Sequence, residues 1–213
     1  KSVRDEFQDI AESSKIELPR NLSTLMELVS STPGHALLGS LYDFEWLKVD
    51  EAEHLIEQWL NPGKQCGVSF LPFAQNAAGD AYCLVQLEGG ITGIALIAHD
   101  DEKTWIEFAG VSELITSEYV HLAANLTLID AKPELAYELQ HEIELIKGVL
   151  NPEHYCLLIG YFSRDCVERP YKSGPRAKPV SVKSFISQDE KVDLLATLCQ
   201  DDRVELEVSL EWE

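Results

Sequence analysis

Side chains able to do chemistry are few in this chain, and they gather in short polar breaks between apolar runs. Asp80 follows Gly79 inside "FLPFAQNAAGDAYCL", residues 70–84, and His99 opens "HDDE", beside Asp100, Asp101 and Glu102. An imidazole among carboxylates suits proton transfer or a hard cation. The EF-hand spacing and its glycine are missing from "HDDE", and a polar hairpin turn in which an Asp bonds its own backbone explains the run without any ligand. The turn is the expectation, with an exposed acidic rim for a partner as a third reading. Gly79 can take a positive φ, which lets Asp80 re-enter a strand. As a general base Asp80 needs a second ionisable group nearby, and its neighbours in sequence do not identify one. His141 begins "HEIEL" like a zincin helix, but position 145 is leucine, so the second zinc-binding histidine is absent. His141 is therefore expected on a helix surface. No G-x-x-x-x-G-K-[ST], G-x-G-x-x-G or G-x-S-x-G motif occurs. The expectation is a chain without catalytic residues, cofactor or metal.

Charge narrows the partners. The 213 residues carry a formal net charge of −20. Such a surface repels phosphate backbones and anionic lipids, so nucleic acid and membrane are not expected partners. It attracts basic proteins and speeds their encounter, although acidity also serves solubility alone. Hydrophobic content of 45% supports a packed core. No apolar run reaches the ~18 residues of a membrane span, and the charged N-terminus lacks a signal-peptide core. The five cysteines are odd in number, and no two stand at C-x-x-C spacing. That argues against a disulfide framework and a structural zinc, and fits a reducing, cytoplasmic setting in which most act as small hydrophobes.

The elements that must position these residues follow from periodicity. Val3, Phe7, Ile10 and Ala11 recur at helical spacing. "NLSTLMELVS" reads as a second helix with Asn21 as its cap, and Tyr42–Lys48 as a strand. Asp50 with Glu53 resembles a capping box opening a helix Glu51–Leu60. "GVSFLPFA", "AYCLVQLE", "ITGIALIA" and "TWIEFA" predict a meander of up to four antiparallel strands, with Gly89-Gly90 as a two-residue hairpin loop. Ser112 is placed to cap a helix Glu113–Ala124. Pro133 suits the first turn of another, carrying Leu135, Leu139, Ile143, Ile146 and Leu150. "YCLLIGYF" reads as a buried strand, and 164–183, with six of the seventeen basic residues and three prolines, as a long exposed loop. That loop is expected to be solvated or laid across the protein's own acidic surface rather than to bind an anion. Ser187 with Glu190 forms a second capping box for a helix Gln188–Gln200. In "RVELEVSLEW" Val204, Leu206, Val208, Leu210 and Trp212 alternate with acidic residues and Ser209, giving a half-buried strand with an acidic outer face. Such a strand at a sheet edge can pair with a second copy, so a homodimer is open.

Trp46 and Trp105 fall in strands beside Glu45 and Glu107. Core packing is the ordinary role of each, and tryptophan is also a common interface anchor.

The order of these pieces resembles a known family. "ELPRNLSTLMELV", "YDFEWLKVDEAEHLI", "FLPFAQNAAGDAYCLVQL", "GIALIAHDDE" and "FAGVSELITSEYV" together resemble the SUKH superfamily of Smi/Knr-like proteins, over residues 3–124. The most specific piece is Phe73 to Leu84, with its apolar-Pro-hydrophobic strand, Gly-Asp turn and second strand. "SSTPGH" stands where the family often has an Asn-Gly pair. The resemblance implies an α+β fold, an antiparallel sheet wrapped by helices, here over 1–125, with an α/β extension over 126–213 that either stands apart or completes the same domain. It implies binding rather than catalysis, and in many bacterial members immunity against a secreted toxin. A toxin nuclease is commonly basic, and a chain of charge −20 suits it. The expected function is a non-enzymatic immunity protein. The alternatives are a regulator or scaffold in cell-envelope or stress control, and, less favoured, a hydrolase using Asp80 and His99. The partner surface is expected at Asp43, Glu45, Trp46, Asp80, Asp100, Asp101, Glu102 and Trp105.

Overall fold

Alternating apolar residues in the middle of the chain build the strands that carry the polar turns. The structure, a computed structural model, describes residues 1–31, 43–128 and 134–213. Its strands are β1 (Glu45–Trp46), β2 (Ser69–Gln75), β3 (Ala81–Gln86), β4 (Thr92–Ile97), β5 (Lys103–Ile106), β6 (Val167–Tyr171), β7 (Val180–Ser184) and β8 (Val204–Glu207). Its helices are α1 (Val3–Ser13), α2 (Arg20–Ser31), α3 (Val49–Gln58), α4 (Val111–Ala124), α5 (Leu135–Leu145), α6 (Pro152–Phe162) and α7 (Gln188–Leu198), with a 3-10 turn at Leu126–Leu128. Every strand pairing is antiparallel, and the class is α+β. Contacts divide the described residues into two units, 1–31 with 43–111 and 200–213, and 112–128 with 134–199. The break falls at the start of α4, and the last strand returns to the first unit.

In the first unit, α1 buries Phe7, Ile10 and Ala11, and Ser2 caps it with Asp5 closing the box. α2 starts directly after Pro19, whose carbonyl accepts from Ser23 N at 3.1 Å. Asn21 does not cap; its Oδ1 accepts from the adjacent Leu22 N–H. α3 opens two residues before the expected start, because Glu51 rather than Glu53 folds back to accept from Lys48 N at 2.7 Å. Strands β1 to β4 form one sheet in that order. The register shifts between Pro72 and Ala74, and the bulge accommodates a mid-strand proline that has no N–H to give. The Gly89-Gly90 hairpin has a three-residue loop: Leu87 N donates to Ile91 O, and Gly90 N to Leu87 O, with Gly89 at φ 87°.

The expected fourth meander strand leaves this sheet. β5 pairs with β8; its links to β4 are the Thr104 hydroxyl, which donates to Leu96 O at 2.8 Å, close packing of Ile106 on Gly93, and, just past its end, the bridge Ile94–Phe108. β4 passes so close beneath it that a Cβ on Gly93 would sit 2.2 Å from Ile106 Cγ2. Phe70, Cys83, Val85, Ala95 and Ile97 then pack against Trp59, Leu60, Ile106, Leu206 and Val208 as one core. Buried Gln65 ties the chain's end to this core: it donates to Trp59 O and Ser209 O and accepts from Ser209 N at 2.8 Å. Trp59 Nε1 donates to Ser209 O as well.

The second unit corrects two expectations. "YCLLIGYF" is not a strand; it lies in α6, where Pro152 occupies the first turn and Leu158 and Phe162, one turn apart, are buried. A short apolar run has no period of its own, and length with a leading proline decides for helix. The stretch 164–183 is not one loop. β6 and β7 form a hairpin within it, Val182 is buried, and Arg169 donates to Ser184 O. Ser112 lies inside α4, where its hydroxyl accepts from Asn151 N at 2.8 Å and lies 2.7 Å from His154 Nδ1. The box at Ser187 and Glu190 forms as expected and starts α7. Pro133 lies outside the described residues. None of the five cysteines is in a disulfide, and only Cys83 is buried; Cys66, Cys156 and Cys166 are exposed. Those three are not core hydrophobes, because Cys66 sits in a turn, Cys156 on an outward position of α6, and Cys166 in the irregular segment before β6. No described helix is long and apolar enough to cross a membrane.

Candidate functional site

Two polar patches in the first unit collect most of the residues singled out above. The first is the β2–β3 turn. Asn76 organises it: its Oδ1 accepts from Ala78 N at 3.1 Å and Asp80 N at 2.9 Å, and its Nδ2 donates to Asp80 Oδ2. Gly79 sits at φ 85°, the left-handed conformation the turn requires. Asp43 braces the turn from β1's side, accepting from Ala77 N at 2.6 Å. The other Asp80 oxygen lies 3.0 Å from His99 Nδ1, so β4's end supplies the ionisable neighbour that the local sequence does not reveal. In the tautomer whose Nδ1–H donates to Asp80, Nε2 is left as the ring's acceptor. The His99 ring meets Trp212 edge-on at 6.0 Å. Asp80, His99 and Asp100 each offer one ligand atom, all within 4.8 Å of one another, so among the described residues these three could hold a cation. Both Asp80 oxygens are already engaged, one by Asn76 within the turn and one by His99, which makes the carboxylate a structural tie first.

The second patch is the outer face of β5–β8. Trp105 stands opposite Glu205, and Lys103 opposite Glu207. Trp105 is 40% exposed, and the Arg203 guanidinium lies 5.0 Å over its ring. Lys103 Nζ bonds Glu205 at 3.1 Å, and this bond raises the lysine's pKa. Asp101 accepts from Lys103 N at 3.1 Å, so "HDDE" does turn the chain onto an Asp as expected. Glu102 is exposed, and its carbonyl accepts from Val208 N. Beside β8 a cavity of about 480 Å³ opens between Val68, Leu87, Leu206 and Val208, with carboxylates on its rim.

Glu45 and Trp46 join neither patch. Glu45 accepts from its cross-strand neighbour Gln75 at 3.2 Å. Trp46 packs on Phe44 and Phe73 and lines a separate, mostly apolar cavity of about 410 Å³ with Phe7, Met26 and Val29. Glu205, Glu207 and Arg203 were not among the expected site residues. Their signal was the alternation of the last strand, which set them outward without naming the neighbour they face. His141 is exposed on α5 and stacks on Tyr137. No family model, curated protein or solved structure matches the chain.

Proposed function

We propose that this chain is a non-enzymatic, SUKH-like protein-binding module that acts in the cytoplasm as an immunity protein, covering a basic toxin domain such as a nuclease. The observation that carries the reading is Trp105, 40% exposed on a strand face opposite Glu205, with Glu207 one pair further along the same face, in a chain of charge −20. A rigid aromatic ring gives contact area at little entropic cost, and flanking carboxylates select lysine and arginine. The net charge steers encounter and turns polyanions away. A regulator or scaffold would use the same surface on another basic protein.

The experiment is a titration of the full chain against the basic domain of a toxin encoded beside it, across about 50 to 500 mM salt, where screening tightens severalfold. Affinity falls steeply with salt, and Trp105→Ala weakens it by at least about tenfold. Affinity indifferent to both changes would sink the reading. The Asp80–His99 pair favours a second reading, hydrolysis. Turnover of an ester or phosphodiester by the wild-type chain, lost in His99→Ala, would put that reading first.

A further inference from the structure

The ladder between β5 and β8 leaves one edge open. Val208 N donates to Glu102 O at 2.9 Å, which makes 102/208 a hydrogen-bonded pair. Alternation then makes 104/206 and 106/204 bonded pairs in the observed register, and turns the backbone N–H and C=O of Glu205 and Glu207 away from β5. Neither N–H finds an acceptor among the described residues. The cavity of about 480 Å³ is lined by residues 205–209 of this strand and its end, and by Glu102 and Lys103 across the ladder. Val68 and Leu87 give it an apolar wall, and Glu102, Glu205, Glu207 and Glu213 place four carboxylates around it. Its one ammonium, Lys103, is already held by Glu205.

We propose that β8 and this cavity take up an extended, lysine- or arginine-bearing segment of a partner protein as an added strand. The proposal rests on the protein-binding reading above and names the chemistry of the partner at that surface. Backbone bonds to Glu205 and Glu207 supply affinity, as in other strand-addition modes, and alternate side chains supply selection. Basic side chains meet the rim carboxylates, and apolar ones between them meet Val68 and Leu87. Charge complementarity decides the occupant. A second copy of the chain adding its own β8 would set Glu205 and Glu207 against their counterparts, and like charges directly opposed are destabilising. Edge strands are commonly guarded by charge against indiscriminate pairing. Here the guard is glutamate, so it excludes acidic strands and admits basic ones.

The test uses the full chain and three acetylated peptides of about ten residues, long enough to span a strand. One alternates lysine with valine and threonine; one is the same peptide N-methylated at alternate amides; one carries glutamate for lysine. Binding is followed by fluorescence anisotropy, and hydrogen exchange is read at the Glu205 and Glu207 amides. The basic peptide binds and slows exchange at both amides at least about tenfold. N-methylation, and separately the double variant E205Q/E207Q, each weaken affinity about tenfold, and the glutamate peptide does not bind. Equal affinity for the N-methylated peptide would mean that charge alone docks it, and the proposal fails. Protection of the two amides that rises with protein concentration and needs no peptide would identify a second copy as the occupant, and the proposal also fails. If a basic toxin domain binds while the peptide leaves both amides unprotected, the strand addition falls and the protein-binding reading stands. If neither binds, both fall.

Discussion

Tyr119 is fully buried, and its hydroxyl donates to Glu142, itself only 9% exposed. Burial, and after it the negative charge of Glu142, pushes the Tyr119 hydroxyl well above the usual tyrosine pKa, so it stays a donor throughout the accessible pH range. Phenylalanine keeps the ring and its volume, so Tyr119→Phe removes a donor without opening a cavity. The expected cost is about 1–3 kcal/mol, the range for weakening a buried polar contact. It is checked as a lower urea midpoint with an unchanged denaturant slope. The same scale shows how far the site was legible. Gly79 and Asp80 read correctly as a turn, because a glycine followed by an acid is local chemistry. Asn76, four residues before Asp80, organises the turn by equally local bonds, a signal that was in the sequence and was not read; that Asp43 braces the turn and that His99 faces Asp80 was not legible, since those contacts join residues distant in the chain.

The box at the start of α7 has a second support. Glu190 accepts from Ser187 N at 2.9 Å and from Arg164 Nη1 at 2.7 Å. The arginine bond first, and the backbone bond after it, hold the carboxyl below its ordinary value of 4.5. The folded chain therefore gives up this proton more readily than the unfolded one. The stability this contributes is complete above that value and is lost as pH falls from 4.5 through the folded value. Glu190→Gln makes the acid limb of a stability-against-pH curve shallower in that window and leaves its upper part flat. The effect is at most about 1 kcal/mol, because the pair is partly solvated. An unchanged acid limb would show the pair to be idle. Elements with a cap and a clean period were readable: α1, the four central strands and α7. The strand and loop readings around α6 and the β6–β7 hairpin failed for opposite reasons. The α6 run is apolar all round and carries no phase. The hairpin's strands are short, and basic residues and prolines mask the alternation of Val180 and Val182.

At the scale of the molecule, the last fourteen residues complete a unit begun by the first hundred. Leu206 and Val208 sit in the core with Phe70, Val85 and Ile97, and Ser209 receives the Trp59 and Gln65 bonds. A chain ending at Cys199 loses both side chains, each worth about 1.5–3 kcal/mol when fully buried, together with β5's partner. Hydrogen exchange at the β2, β3 and β4 amides is then expected to rise toward unfolded rates. Protection at wild-type levels would show that the strand is dispensable. What the sequence determined by itself was local or summed: the α+β class, the acidic charge, the meander of central strands, and the in–out alternation of the final one from Val204 to Val208, although Trp212, expected to face inward, is 74% exposed past the strand's end. Each follows from residue type and spacing, which need no knowledge of neighbours. Only the tertiary structure decided which strand accepts β8, and so that Trp105 faces Glu205 while β8 keeps an open edge beside an acid-rimmed cavity. Pairing across a hundred residues is set by the fit of the whole core, and no short stretch of sequence encodes it.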